Sequence, residues 1–160
     1  MKRNIFILCL IIIFFSCKKQ EDPVYEINEV QATPYNANKN KLKSTYQHIL
    51  IMYANLFQKA LSPNELVEIT RCIESIGDKQ IAHEVILSNF MNREGVILPP
   101  DSLLDANPSL FIEETYKRFF VRDISVAERT YFLNFFETHP SVTTEMVYMA
   151  FSLSNEYQYY

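Results

Sequence analysis

Two stretches of this chain, YANLFQKALSPNE from Tyr53 and YKRFFVRDISVAE from Tyr116, align without a gap. Tyr53 falls on Tyr116, Phe57 on Phe120, Lys59 on Arg122, Leu61 on Ile124, Ser62 on Ser125 and Glu65 on Glu128, each pair 63 residues apart. Ile69 and Ile73 then fall on Phe132 and Phe136, after which the register slips. Matched cations, serines and glutamates at a fixed offset point to a duplicated structural unit. The apolar residues recur at steps of three and four, the period of a helix with one buried face. Only Gly77 and Gly95 occur in 160 residues, too few for the turns of a β-rich fold of this size. The expectation is an all-α fold of about six helices, arranged as two related three-helix units.

The first helix is expected at about 41–60, through Leu42, Tyr46, Ile49, Tyr53 and Leu56. Leu66, Ile69, Ile73 and Ile76 mark a second that stops at Gly77. Ile81, Val85, Ile86 and Phe90 mark a third, with Asp78 as its N-cap. Gly95, Pro99, Pro100 and Pro108 make 95–108 a connector, with room for one short turn around Ser102 to Asp105. Phe111, Ile112, Tyr116, Phe119 and Phe120 line a fourth helix, Phe132, Phe135 and Phe136 a fifth, and Met146, Val147, Ala150 and Phe151 a sixth. The units are therefore expected at 41–94 and 109–160.

Each unit carries Ser-x-x-Glu at its first corner, Ser62 to Glu65 and Ser125 to Glu128. This is the capping-box spacing: the serine oxygen accepts the N–H three residues on, and the glutamate reaches back to the serine N–H. Pro63 suits the first helical position, where a missing N–H costs nothing. Lys59 and Arg122 come three residues earlier, at the negative end of the preceding helix and within reach of the capping glutamate. Every residue type in these corners has a structural role, so they are read as scaffold, and no catalytic residue is assigned.

The stretch from Thr115 to Glu137, followed by Ser154-Asn155-Glu156-Tyr157, resembles a helical module of the form aromatic, x-x-x-aromatic, x-Arg, x-x-Ser/Thr, x-x-Glu that closes on Ser-x-Glu-Tyr/Phe. It is similar to the C-terminal helical regions of planctomycete-type, cytochrome-associated secreted proteins and to small Ser-x-Glu-Phe helical domains of bacterial surface proteins. The likeness covers 109–160, and 45–93 more loosely. It implies an extracytoplasmic helical module and supplies no catalytic residues.

The first seventeen residues, MKRNIFILCLIIIFFSC, join a positive start, Lys2 and Arg3, to an unbroken apolar run from Ile5 to Phe15. That run has the length of a signal-peptide core and is too short to span a bilayer comfortably. Its end, Phe14-Phe15-Ser16-Cys17, resembles a bacterial lipobox, which implies cleavage after residue 16 and lipidation of Cys17. Residues 18–23, KKQEDP, resemble the export signal of Bacteroidetes surface lipoproteins. The expected address is the outer membrane, on its periplasmic face or the cell surface, with the membrane held through the lipid anchor. Residues 17–40, with Pro23, Pro34 and several asparagines, read as a flexible tether.

Net charge is −4, and no basic stripe of the kind that binds nucleic acid is present. No C-x-x-C-H, glycine-rich phosphate loop or H-E-x-x-H occurs, so no cofactor or metal ligand is assigned. Cys72 lies among apolar helix positions and is expected to be a small buried side chain. Asp101 and Asp105 are expected in a solvated loop. Tyr157, Tyr159 and Tyr160 are candidates for contacting a partner, since tyrosine joins a large apolar ring to a polar tip. The opposing reading has those rings closing the last helix onto the core. The function expected is that of a non-enzymatic accessory or adaptor with an envelope protein partner. The alternative is a small-ligand or haem-binding electron-transfer accessory, with its site between the two units.

Overall fold

The computed structural model describes residues 32–159. They form seven α-helices and one 3₁₀ turn: α1 Thr45–Phe57, α2 Pro63–Ser75, α3 Lys79–Met91, α4 Asp101–Ala106, α5 Pro108–Phe120, α6 Val126–Thr138, α7 Thr144–Leu153, and the turn Glu156–Gln158. No strand forms among the described residues; two isolated bridges pair Thr33 with Arg122 and Leu42 with Tyr159. The chain is all-α, and its seventh helix is α4, where the sequence pointed only to a short turn.

The repeat reaches the backbone. Helices α1 and α5 each have 13 residues, and their first and last residues lie 63 apart; the same holds for α2 and α6. Both α1 and α5 end on a non-glycine residue in the left-handed region, Gln58 at φ 52° and Val121 at φ 54°. For β-branched Val121 this conformation is strained. It is held because Val121 N–H donates to Lys117 O, and Val121 O accepts from Thr33 N–H at 2.9 Å and Thr33 Oγ1 at 3.0 Å. The third helices keep no such register, since α3 begins at Lys79 and α7 at Thr144.

The helix starts follow local chemistry. Ser62, Asn107, Ser125 and Thr143 each accept the N–H three residues on, and Asp78 accepts from both Gln80 N and Ile81 N. Pro63 and Pro108 occupy first helical positions. The Ser125–Glu128 box is complete, as expected. At the first corner only half of it forms: Ser62 accepts from Glu65 N–H, while the Glu65 side chain turns to Arg93. A full box that was not anticipated joins Ser44 to Gln47 at the start of α1.

One core runs through both halves, with Ile49, Met52, Leu56, Ile73, Leu87, Phe90, Phe111, Ile112 and Tyr157 all but fully buried. Helix α3 packs on α1, α2 and α7, which interlocks the units. Several expected core positions lie elsewhere. Leu42, Tyr46 and Met146 are exposed, and α6 has no fully buried residue, so Phe132, Phe135 and Phe136 are only half-covered. Cys72 is exposed, because Ile69 and Ile73 turn the buried face of α2 away from it. Asp101 is not a free loop carboxylate: its Oδ1 accepts from Thr144 N–H at 2.8 Å and Thr144 Oγ1 at 2.9 Å, tying α4 to the start of α7.

The segment read as tether is fixed to the body from Thr33 onward. Asp123 N–H donates to Thr33 O at 2.8 Å, and Lys43 N–H donates to Gln158 O at 2.8 Å. Cys17 and most of the proposed tether lie outside the described residues.

Candidate functional site

The two corners differ in charge placement. In the second unit Arg122 is 6% exposed and spends every N–H donor. Its Nη1 and Nη2 hold Glu128 at 3.1 and 2.7 Å, its Nε and Nη2 hold Glu156 at 2.6 and 2.7 Å, and Nη1 also donates to Asp123 O at 3.1 Å. Five donors meet five acceptors, which is the full capacity of a guanidinium. The plane lies over the Tyr116 ring, 4.8 Å from its centroid, and 5.6 Å from that of Phe120. In the first unit the residue matching Arg122, Lys59, is exposed. Glu65 instead pairs with Arg93, which stands 63 residues before Glu156. The third matched position holds the cation Arg93 in the first unit and the anion Glu156 in the second, and only the second unit buries its cation.

Burial opposes ionisation of Glu128, but the Arg122 bonds and the Ser125 hydroxyl and N–H outweigh it and hold its carboxyl down at about 2. Glu156 is likewise lowered against the effect of burial, by Arg122 and then Lys39. Burial and the adjacent Glu128 carboxylate raise the Tyr116 hydroxyl well above its usual range. These groups are committed to one another, which makes them poor acids or bases for a substrate.

Beside this lock lies an open apolar groove. Helix α2 packs on α3 in the first unit, but in the second α7 leans toward α3 and α6 packs chiefly on α5. The splay of α6 from α7 leaves a groove of about 510 Å³, lined by Tyr116, Phe120, Phe132, Phe136, Met146 and Phe151 among others, with Ser154 and Glu156 also on its wall. Phe132 and Phe151 face each other with ring centroids 5.7 Å apart. The groove is open at Met146, which is 56% exposed, and the apolar surface continues outside it at Tyr131, 63% exposed.

The tyrosines singled out from the sequence separate. Tyr157 is fully buried, its hydroxyl accepting from Asn55 Nδ2 at 3.0 Å, so it closes the core and presents no surface to a partner. Tyr159 is 38% exposed beside Leu42, and Tyr160 lies outside the described residues. The motif around Tyr157 is structural throughout: Ser154 Oγ accepts from Tyr157 N–H, Glu156 binds Arg122, and Tyr157 fills the core. The groove was missed because its aromatics were counted as core. A signal existed in Tyr131, Phe132, Phe135 and Phe136, which cover too wide an arc of one helix for a single neighbour.

A second unforeseen feature is the stacking of His48 on His83, 4.2 Å between centroids. His48 is 4% exposed, and its Nε2 has no hydrogen-bond partner among the described residues. Burial, then His83 and Lys43, lower its pKa to about 3, so both His48 and its burial are consistent with a neutral ring. No group of three or more His, Cys, Asp or Glu able to share a metal occurs among the described residues. No described helix is long and apolar enough to cross a membrane. No family model, curated protein or solved structure matches this chain.

Proposed function

We propose that this chain is a lipid-anchored, non-enzymatic adaptor of the bacterial cell envelope, and that its α6–α7 groove receives an amphipathic helix of a partner protein. The anchor rests on the sequence: the basic start, the apolar run and Ser16-Cys17. It puts the protein on the outer membrane, at the periplasmic face or the cell surface. The single observation that carries the adaptor role is the aromatic groove, bounded by α5, α6 and α7, with exposed Met146 on its wall and exposed Tyr131 beside it.

A helix is the fitting occupant. The gap lies between two helices that would pack on each other if the second unit copied the first. Aromatic and methionine walls are favoured where apolar side chains from another chain insert. The apolar surface runs past the groove onto Tyr131, whereas small-molecule sites cover most of their ligand. The alternative, a haem or other small ligand held between the units, has less support: the groove lies within the second unit and no histidine lines it.

A photo-crosslinking side chain placed at Met146 in the membrane-bound protein tests this. The expected result is one dominant protein adduct, mapping to an amphipathic helix of a component that co-purifies stoichiometrically, with none from Glu68 on α2. Adducts to lipid alone, or a coloured ligand that protects the position, would replace the adaptor reading with the small-ligand one.

A further inference from the structure

A second cavity, of about 280 Å³, lies where the N-terminal segment crosses α1 and α5, and it is lined by Lys39, Lys43 and Arg118 with no carboxylate on its wall. The rest of its lining joins polar Thr33, Asn55 and Tyr159 to apolar Ile51 and Phe119 among others. Lys39 and Lys43 repel each other across this space, and Arg118 adds a third cation to its wall, so the cavity suits an anion.

Among the described residues, the partners of these cations leave the charge unbalanced. Arg118 donates to Asn55 O at 2.7 Å, Tyr148 Oη at 3.1 Å and Ile97 O at 3.2 Å, all neutral acceptors. A guanidinium has five N–H donors, so donors remain. The Lys43 ammonium donates to Tyr157 O and sits 4.3 Å from the centre of the Tyr157 ring. Among the described residues neither Arg118 nor Lys43 has a carboxylate within ion-pair distance. Lys39 reaches Glu156 at 3.3 Å, but that carboxylate is already gripped by Arg122. Burial, and then the charge of Lys39, depress the Lys43 pKa to about 8 despite Glu156.

We propose that this cavity is a binding site for a small monocarboxylate with a short apolar body, its carboxylate held by Lys43 and Arg118 and its hydrocarbon laid against Ile51 and Phe119. Sites for drug-sized ligands run from about 300 to 1,000 Å³, so the volume here admits only a small molecule. The apolar walls favour a carboxylate bearing a hydrocarbon over a bare inorganic anion. The site is separate from the α6–α7 groove and does not depend on the adaptor reading.

Hexanoate titrated calorimetrically into the full chain in lipid nanodiscs, with empty nanodiscs as reference, tests the site. The expected result is saturable binding at one per chain, with Kd at or below about 1 mM. Hexanol and inorganic phosphate are expected to bind at least about tenfold more weakly, each lacking one half of the recognition. Lys43→Gln and Arg118→Gln are each expected to weaken hexanoate about tenfold or more, and Lys43→Arg to retain it. At pH 8 binding is expected to take up protons, since a bound anion favours charged Lys43. Thermal melts by circular dichroism identify any variant that does not fold, in which case Lys43→Arg and the proton uptake decide. No saturable binding by the wild type would overturn the proposal, as would binding indifferent to Lys43→Gln. Binding abolished by Met146→Arg but not by Lys43→Gln would move the ligand to the aromatic groove and equally overturn it.

Discussion

Replacing Arg122 by methionine keeps much of the side-chain volume and removes the guanidinium. Glu128 and Glu156 then face each other with no counter-ion between them except Lys39 at the edge. Removing one partner of a buried ion pair costs about 3–5 kcal/mol. Here the two glutamate side chains keep 33% and 30% of their exposure, and water screens part of that, so about 3 kcal/mol is the appropriate figure. Unfolding entropy of roughly 2.1 cal/mol/K per residue over the described 32–159 gives about 0.27 kcal/mol/K. The loss in Tm is then about 10 °C, readable by circular dichroism. Lys59→Met is the internal control, because Lys59 holds the matching position but is exposed; its effect is expected to stay within about 0.5 kcal/mol. The Arg122 effect also has a pH signature. Glu128 has a folded pKa of about 2, below its unfolded value, so its stabilisation is full above about 4.5 and is lost as pH falls toward 2. The gap between wild type and Arg122→Met should therefore shrink across that window. A Tm loss below about 2 °C, or equal losses for Arg122→Met and Lys59→Met, would refute the lock.

His48 predicts a separate acid sensitivity. Its pKa falls from the ordinary value of 6.5 to about 3, so the unfolded chain binds a proton that the folded one rejects, and stability drops by about 1.4 kcal/mol per pH unit between those values; His48→Phe should flatten urea-measured stability over this range. Asp101→Ala should cost about 1–2 kcal/mol by freeing the Thr144 N–H at the start of α7, while the Thr144 hydroxyl keeps its bond to Pro99 O, with the loss visible in the same denaturation curves. Met146→Arg should leave Tm within about 2 °C, since the side chain is 56% exposed, while removing the partner adduct in crosslinking.

The parts of this architecture legible in the sequence are those set by local chemistry. Asp78, Ser125 and the proline at 63 mark their helix starts because capping involves residues three or four apart. The Ser44–Gln47 box has the same legible spacing, but the apolar period that starts at Leu42 masks it. Long-range choices were hidden. Lys59 and Arg122 look equivalent in the repeat, and only the position of Glu156, 34 residues beyond Arg122, makes one a buried hub and leaves the other in solvent. Phe132, Phe135 and Phe136 have the composition of core residues; whether a neighbour covers them depends on where α7 settles, which no spacing within α6 records. The cationic cavity draws on residues from the N-terminal segment, α1 and α5, and has no motif at all.

The separations within the Arg122 lock also imply an order of assembly. Arg122 and Glu128 are six residues apart, so their half of the lock can close as soon as the α5–α6 corner turns. Glu156 must return across 34 residues, and the Tyr157 hydroxyl meets an asparagine 102 residues upstream. Closing the longer loops costs more chain entropy, so the corner should stand half-neutralised until the 3₁₀ turn arrives. On that account the turn is the last piece seated, and in pulse-labelled refolding the amides of 156–158 should gain protection after those of the corner.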